Sequence, residues 1–252
     1  MIKHLHDTHF HLDLQKDKHG AIENITKNEI YTIAMTNLPD LYQKEVSLYD
    51  QKYIRIALGF HPELVQEYPN KIPLMWKHLA EARYIGEVGL DFTDKSYVNE
   101  QIAFFTELIA RCKNDTNKII SIHSREAEKE VIDIIGTDFK FTPILHWYSG
   151  TIRNLKIACE RGYYFSVNLS MTRTKKFAQM LECIPNDKLL LETDSPFTST
   201  RISHLDSLKT VNELLNSYNI NCWENFLKLI NIVLNKRWAR IKLQNGSTLQ
   251  NQ

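Results

Sequence analysis

No C-x-x-C pair occurs among the four cysteines, Cys112, Cys159, Cys183 and Cys222. Zinc-ribbon and dithiol redox motifs are thereby excluded, and the wide spacing reads as reduced, structural thiols. The expected location is the cytoplasm. No N-terminal apolar stretch is long enough for a signal peptide, and no run of residues would span a bilayer. Excess charge is also lacking: 31 Lys plus Arg face 30 Asp plus Glu, for a net charge of +1. A bulk electrostatic footprint for nucleic acid is missing, so any phosphate recognition has to be local. There is no glycine-rich phosphate loop after the first β-rich run. No internal repeat, linker composition or domain boundary is visible.

What is present is an ordinary globular chain of 252 residues, 43% apolar and 24% charged. That is one large domain with a proper core. The expected domain covers 1–243, and 244–252 reads as a polar, frayed tail. Short β-rich runs occur near 2–6, 30–36, 53–60, 84–90, 118–123, 142–147, 163–169 and 188–193. Helical spacing fills the gaps: Ala21 to Glu29, Leu38 to Asp50, Ile72 to Arg83, Tyr97 to Lys113, Arg125 to Ile135, Ile152 to Arg161, Lys175 to Ile184 and Leu208 to Asn219. The clearest stripe is Ile102, Phe105, Leu108, Ile109 and Cys112. Cys222 to Ile241 reads as one or two closing helices with Phe226, Leu229, Ile230, Val233 and Leu234 on the core side. Eight strands alternating with helices over about 250 residues predict an α/β fold, an eight-stranded parallel (β/α)8 TIM barrel. A doubly wound open sheet is the alternative.

The chemistry sits at the strand ends. Asp7-Thr8-His9-Phe10-His11 offers two imidazoles at i and i+2, on one side of an extended backbone. His61 ends the third strand in Gly-Phe-His-Pro. Glu87 lies inside the fourth, in Ile-Gly-Glu-Val-Gly-Leu-Asp. His123 ends the fifth in Ile-His-Ser-Arg, and His146 the sixth in His-Trp-Tyr-Ser-Gly. Asp194 ends the eighth in Glu-Thr-Asp-Ser-Pro. A barrel gathers C-terminal strand ends on one face. One such histidine is usually a satisfied core group; this many are hard to attribute to chance. Glu87 is the most telling residue, because a carboxylate in an apolar strand is costly unless paired or bound to metal.

Four imidazoles and two carboxylates without a thiolate exceed one catalytic zinc site. They fit two divalent ions sharing a carboxylate, roughly 3.5–4 Å apart. Glu87 is the expected bridge. Imidazole with carboxylate favours zinc, manganese or iron on softness, and magnesium prefers more oxygen. Arg125 is a candidate phosphate clamp or a solvated helix start. Asp91 and Glu192 read either as groups that orient a ligand histidine or as surface residues. Trp147 and Tyr148 could stack on a base or pack the barrel rim. Arg173, Lys175 and Lys176 could guide a nucleic-acid backbone or form a solvated face. His4, His6, His19, His78 and His204 carry no motif.

The six motifs, in order from His9 to about Phe197, resemble the TatD family of metal-dependent deoxyribonucleases. The resemblance implies an amidohydrolase-type barrel that cleaves DNA, as a 3′–5′ exonuclease on single strands or 3′ ends, with two Mg²⁺ or Mn²⁺ (or Zn²⁺) ions. It implies that His9, His11, Glu87 and Asp194 hold one metal, and Glu87, His123 and His146 the other. His61 would face the scissile phosphate. Asp194 and Glu87 would be the catalytic carboxylates, with Asp194 taking the proton of the attacking water. The His-Trp-Tyr-Ser-Gly and Glu-Thr-Asp-Ser-Pro-Phe wording is similar to the TatD-type member of the bacterial Qat antiphage defence system, which implies other defence proteins as partners. One departure stands out: many members carry Arg-Asn-x-Pro after the last aspartate, and here Phe197-Thr198-Ser199-Thr200-Arg201-Ile202 replaces it. Two other functions share these residues, a small-molecule amidohydrolase or lactonase and a non-catalytic DNA-end sensor.

Overall fold

The computed structural model describes residues 4–50, 52–198 and 202–230. Eight strands, β1 (His6–Phe10), β2 (Tyr31–Ala34), β3 (Ile54–Ile56), β4 (Tyr84–Gly89), β5 (Ile119–His123), β6 (Thr142–Leu145), β7 (Tyr164–Val167) and β8 (Leu189–Leu191), alternate with helices. Pairing is parallel throughout, in a three-stranded group β1-β2-β3 and a five-stranded group β4 to β8. Backbone hydrogen bonds close both seams. Leu58 N donates to Tyr84 O at 2.9 Å and Gly86 N to Leu58 O at 2.9 Å, joining β3 to β4. Asp194 N donates to His9 O at 2.9 Å and His11 N to Ser195 O at 3.1 Å, joining β8 to β1. The result is the (β/α)8 TIM barrel that the alternation predicts.

Helix ends follow local chemistry. The helices are α1 (Lys18–Lys27), α2 (Pro39–Tyr49), α3 (Ile72–Leu79), α4 (Val98–Cys112), α5 (Glu128–Ile135), α6 (Ile152–Glu160), the short α7 (Leu169–Thr172), α8 (Phe177–Cys183) and α9 (His204–Ser217). The α9 helix starts four residues before the predicted Leu208, because the Ser203 side chain caps it by accepting from Asp206 N. The α3 helix stops at Leu79, short of the predicted Arg83. There the buried Lys118 ammonium takes the carbonyls of Leu79 and Ala82 at 2.6 and 2.8 Å, a favourable place for a cation. The α5 helix begins at Glu128, so Arg125 lies in the turn before it, not at a helix start.

The first strand is a correction. It runs over His6–Phe10, later than the predicted 2–6. Asp7, Thr8 and His9 are buried polar residues that hide its strand character, and only pairing with β2 reveals it. The register supplies a further device. Between Asp7 and Phe10, β1 advances three residues while β2 advances two. Between Ile85 and Val88, β4 likewise gains one residue on β5. Each extra residue shifts the in/out alternation by one. His6 and His9 therefore both face the barrel interior, as do Tyr84 and Glu87, although each pair has odd spacing.

Two apolar shells hold the barrel. The larger lies between strands and helices. The smaller fills the barrel interior with Ile33, Ala57, Tyr84, Ile119, Ile144, Tyr164 and Leu190, and takes in Phe226 and Leu229 from the helix over 222–230. Phe226 stacks on the His6 ring at 4.5 Å between centroids. The predicted Val233, Leu234 and the tail from 244 lie outside the described residues. No described helix is long and apolar enough to cross a membrane.

Candidate metal centre and active site

Above the apolar layer the interior turns polar. Successive inward positions along β5 are Ile119, Ser121 and His123, and along β8 and past its end they are Leu190, Glu192 and Asp194. Strands end at this level, so the last inward residues surround one space. His123 is the last residue of β5, and His146 follows β6 by one residue. Asp194 lies three residues past β8 with a left-handed φ of 51°. His61 lies five residues past β3 and caps a short turn, accepting from Glu63 N through Nδ1 at 3.3 Å. Gly59 lets that chain pass close to its neighbours. A Cβ there would lie 1.8 Å from Thr36 O and 2.5 Å from Glu87 N.

Glu87 is central. Its Oε1 is 2.6 Å from His123 Nδ1 and 2.8 Å from His146 Nε2. Its Oε2 is 3.2 Å from His11 Nε2, 3.6 Å from His9 Nε2 and 3.7 Å from His61 Nε2. One carboxylate thus divides the histidines into two sets, one per oxygen. Asp194 Oδ1 joins the second set, 3.3 Å from His11 Nε2 and 3.7 Å from His9 Nε2.

Burial works against the negative charge on Glu87, but His61, His146, His11 and His123 hold its carboxyl well below the usual range. Burial lowers His11, and the nearby Asp194 and Glu87 carboxylates outweigh it and raise the imidazole to about 10. His123 follows the same pattern with Asp91 and Glu87, again to about 10. Burial wins at His61, pushed down to about 4, and at Asp194, pushed up.

The donors fit divalent cations. Ring nitrogens face each other at 3.2 Å between His9 Nε2 and His11 Nε2, and at 3.3 Å between His123 Nδ1 and His146 Nε2. The buried Asp194 Oδ1 has no hydrogen-bond partner among the described residues. Converging lone pairs on imidazole and carboxylate are a ligand set for such ions. His9, His11 and Asp194 form one group with ligand atoms within 4.8 Å of one another; His61, Glu87 and His123 form another, and His9, His146 and Glu192 a third.

Neighbours orient the rings. His9 Nδ1 meets Ser121 Oγ at 2.7 Å, and His123 Nε2 meets Asp91 Oδ2 at 2.8 Å. A proton held on the outer nitrogen leaves the inner one free to ligate. Asp91 and Glu192 are both buried, which overturns their surface reading. Glu192 accepts from Ser166 Oγ, from Asn168 Nδ2 at 2.8 Å and from Trp147 N at 3.1 Å, below the site. Arg125 is exposed, lines the cavity, and has no side-chain partner among the described residues. Trp147 also lines it, but Tyr148 is buried and donates to Thr151 O at 2.7 Å, so it packs the rim. Lys176 crosses to Ser149 O at 2.9 Å, while Arg173 and Lys175 are solvated.

Sequence reading missed a supporting set. Asp7 accepts from His9 N at 3.1 Å, Thr193 N at 3.1 Å, Thr193 Oγ1 at 2.5 Å and His204 Nε2 at 2.9 Å. It ties β1, the loop after β8 and α9 together beside two of the proposed ligands. Asn37 Nδ2 lies 3.3 Å from His11 Nδ1 and donates to Asp13 Oδ2 at 3.0 Å. Asp7 stood in view beside His-x-His, whereas nothing local marks Asn37 or His204.

Comparison with known proteins gives the family. A family model described as "TatD related DNase" matches residues 6–221. The chain belongs to the TatD family. It is 29% identical over 207 residues to the "Uncharacterized metal-dependent hydrolase YabD" of Bacillus subtilis, covering 77% of this chain and 80% of that protein. It is 27% identical over 197 residues to the "3′-5′ ssDNA/RNA exonuclease TatD" of Erwinia tasmaniensis, covering 74% and 76%. A solved TatD family hydrolase from Entamoeba histolytica superposes with a TM-score of 0.62 at 17% identity, over 78% of this chain and 75% of that one. The last supports the barrel fold of this TatD protein.

Proposed function

We propose that this TatD family member is a two-metal phosphodiesterase that trims single-stranded DNA from the 3′ end. The observation that carries the reading is the division of the Glu87 oxygens, Oε1 toward His123 and His146 and Oε2 toward His9 and His11. Two divalent ions would fit there, one held by His9, His11 and Asp194, the other by His123 and His146, with Glu87 a donor common to both sets. Magnesium or manganese are the proposed ions, with zinc suited to the same donors. When bound, such ions acidify water and neutralise phosphoryl oxygens. Asp194, without a hydrogen bond at Oδ1 among the described residues and lining the cavity, orients the attacking water and takes its proton. His61 and Arg125 hold the scissile phosphate from the open side; the planar guanidinium suits its oxygens. Asp91 and Ser121 keep His123 and His9 turned inward.

The DNA substrate and the polarity rest on the family's description and on the name of the Erwinia relative. A role in antiphage defence, with partner proteins, is supported by the motif wording around His146 and Asp194. Cytoplasmic location is supported by the four free cysteines. One barrel takes in all eight described strands, which supports reading 1–243 as a single domain. The test is a 5′-labelled single-stranded oligonucleotide incubated with and without Mg²⁺ or Mn²⁺, beside Glu87→Ala. A ladder shortening from the 3′ end, dependent on metal and absent in the variant, is expected. A folded, metal-loaded protein that leaves the oligonucleotide intact would overturn the proposal.

A further inference from the structure

The cavity over the candidate centre has a volume of about 650 Å³. Its mouth is unusual in what it exposes. Phe197 and Leu14 are 59% and 42% exposed, and both line the opening. Exposed large apolar side chains are ordinary singly, but two at the rim of a polar site call for a ligand with an apolar face.

This wall is held in place. Phe197 N donates to Asp194 O at 2.8 Å and Thr198 Oγ1 to Thr193 O at 2.7 Å, which fixes the turn after Asp194. The Phe197 ring stands edge-on to the His11 ring at 5.2 Å. Gln15 Nε2 donates to both His11 O at 2.9 Å and Ser195 O at 3.1 Å. The loop carrying Leu14 is thus pinned to the loop carrying Phe197.

We propose that Phe197, backed by Leu14, is a stacking platform for the base of the 3′-terminal nucleotide. The inference rests on the nuclease reading above and adds its specificity element. A terminal base has one face without a stacked neighbour, and that face is open to a ring. Arg125 is the only Lys or Arg among the described cavity-lining residues. Binding of the end therefore relies on one phosphate contact and the base, not on a basic track.

Two readouts test the platform independently. In the first, 2-aminopurine occupies the 3′-terminal position of a single-stranded oligonucleotide, and its fluorescence is read on mixing with metal-free protein. Quenching by the wild type that is lost in Phe197→Ala and kept in Phe197→Trp is expected. In the second, kcat/KM is compared for oligonucleotides whose last nucleotide carries a base or lacks one. Wild type prefers the base by about tenfold, the order that one aromatic stack contributes, mostly through KM. In Phe197→Ala the ratio of kcat/KM for the base-bearing over the abasic end falls to about one. Turnover with equal base preference in wild type and Phe197→Ala would overturn the platform and leave the nuclease standing. Quenching that depends on Phe197 without any turnover would keep the platform and overturn the nuclease.

Discussion

The two ends of the barrel use the same residue types to opposite effect. At one end His6 is buried, stacks on Phe226 and accepts from Leu191 N through Nε2 at 3.0 Å. Nothing charged faces it among the described ring contacts; Trp223 and Phe226 surround it. At the other end His9, His11, His61, His123 and His146 surround Glu87 and open onto the cavity. Burial alone drives His6 down to about 3 and leaves it neutral. Burial is just as deep at His11, but two carboxylates reverse its effect. A histidine's role here is set by the charges it faces, not by its depth.

The contrast can be broken at either end. Glu87→Ala removes the group shared by both histidine sets. It is expected to lower turnover by roughly three orders of magnitude or more, with bound metal lost by elemental analysis and the far-ultraviolet spectrum unchanged. At the closed end, Phe226→Ala should cost about 3–5 kcal/mol of stability by urea denaturation. At a temperature where the variant stays folded, kcat should be retained; a matching loss of kcat would mean that the plug and the site are coupled. Asp91→Asn leaves all proposed ligands in place but weakens the grip on His123 Nε2. Metal affinity should fall about 10–100-fold, and an unchanged titration would show that Asp91 does not orient this ring.

The smallest effect is a pH slope. Unfolding returns His6 from about 3 to the ordinary 6.5, so the unfolded chain binds the extra proton as pH falls. The stability from neutral His6 is complete above 6.5 and declines between there and about 3, by about 1.4 kcal/mol per pH unit at most. His6→Gln should flatten this part of the profile in metal-free protein, as read by urea midpoints at several pH values. A slope that persists in the variant would assign the acid sensitivity elsewhere.

Much of the fold was legible because parallel strands, buried on both faces, read as short apolar runs separated by helical spacing. The polar first strand was not, since Asp7, Thr8 and His9 are buried through partners distant in sequence. Glu87, His123, His146 and Asp194 could be nominated because each sits at an apolar run's end or interior, and His9 and His11 because they form a His-x-His pair. His61 was nominated as a strand end, yet it reaches the site from a turn five residues beyond β3. The supporting Asn37, Ser121 and His204 carry no such mark, because a hydroxyl, amide or helical imidazole is common without a ring or carboxylate to orient.

By itself, then, the order of residues determined the alternation of strands and helices and the kinds of donor available at the strand ends. Periodicity and side-chain chemistry are local properties, and they survive without coordinates. Only the tertiary structure decided how Glu87 presents one oxygen to each set of histidines, and that Phe197 stands at the mouth. The first depends on one extra residue in β1 and one in β4, whose effect exists only when a neighbouring strand is counted alongside. Register is a relation between strands, and a single strand read alone contains no measure of it.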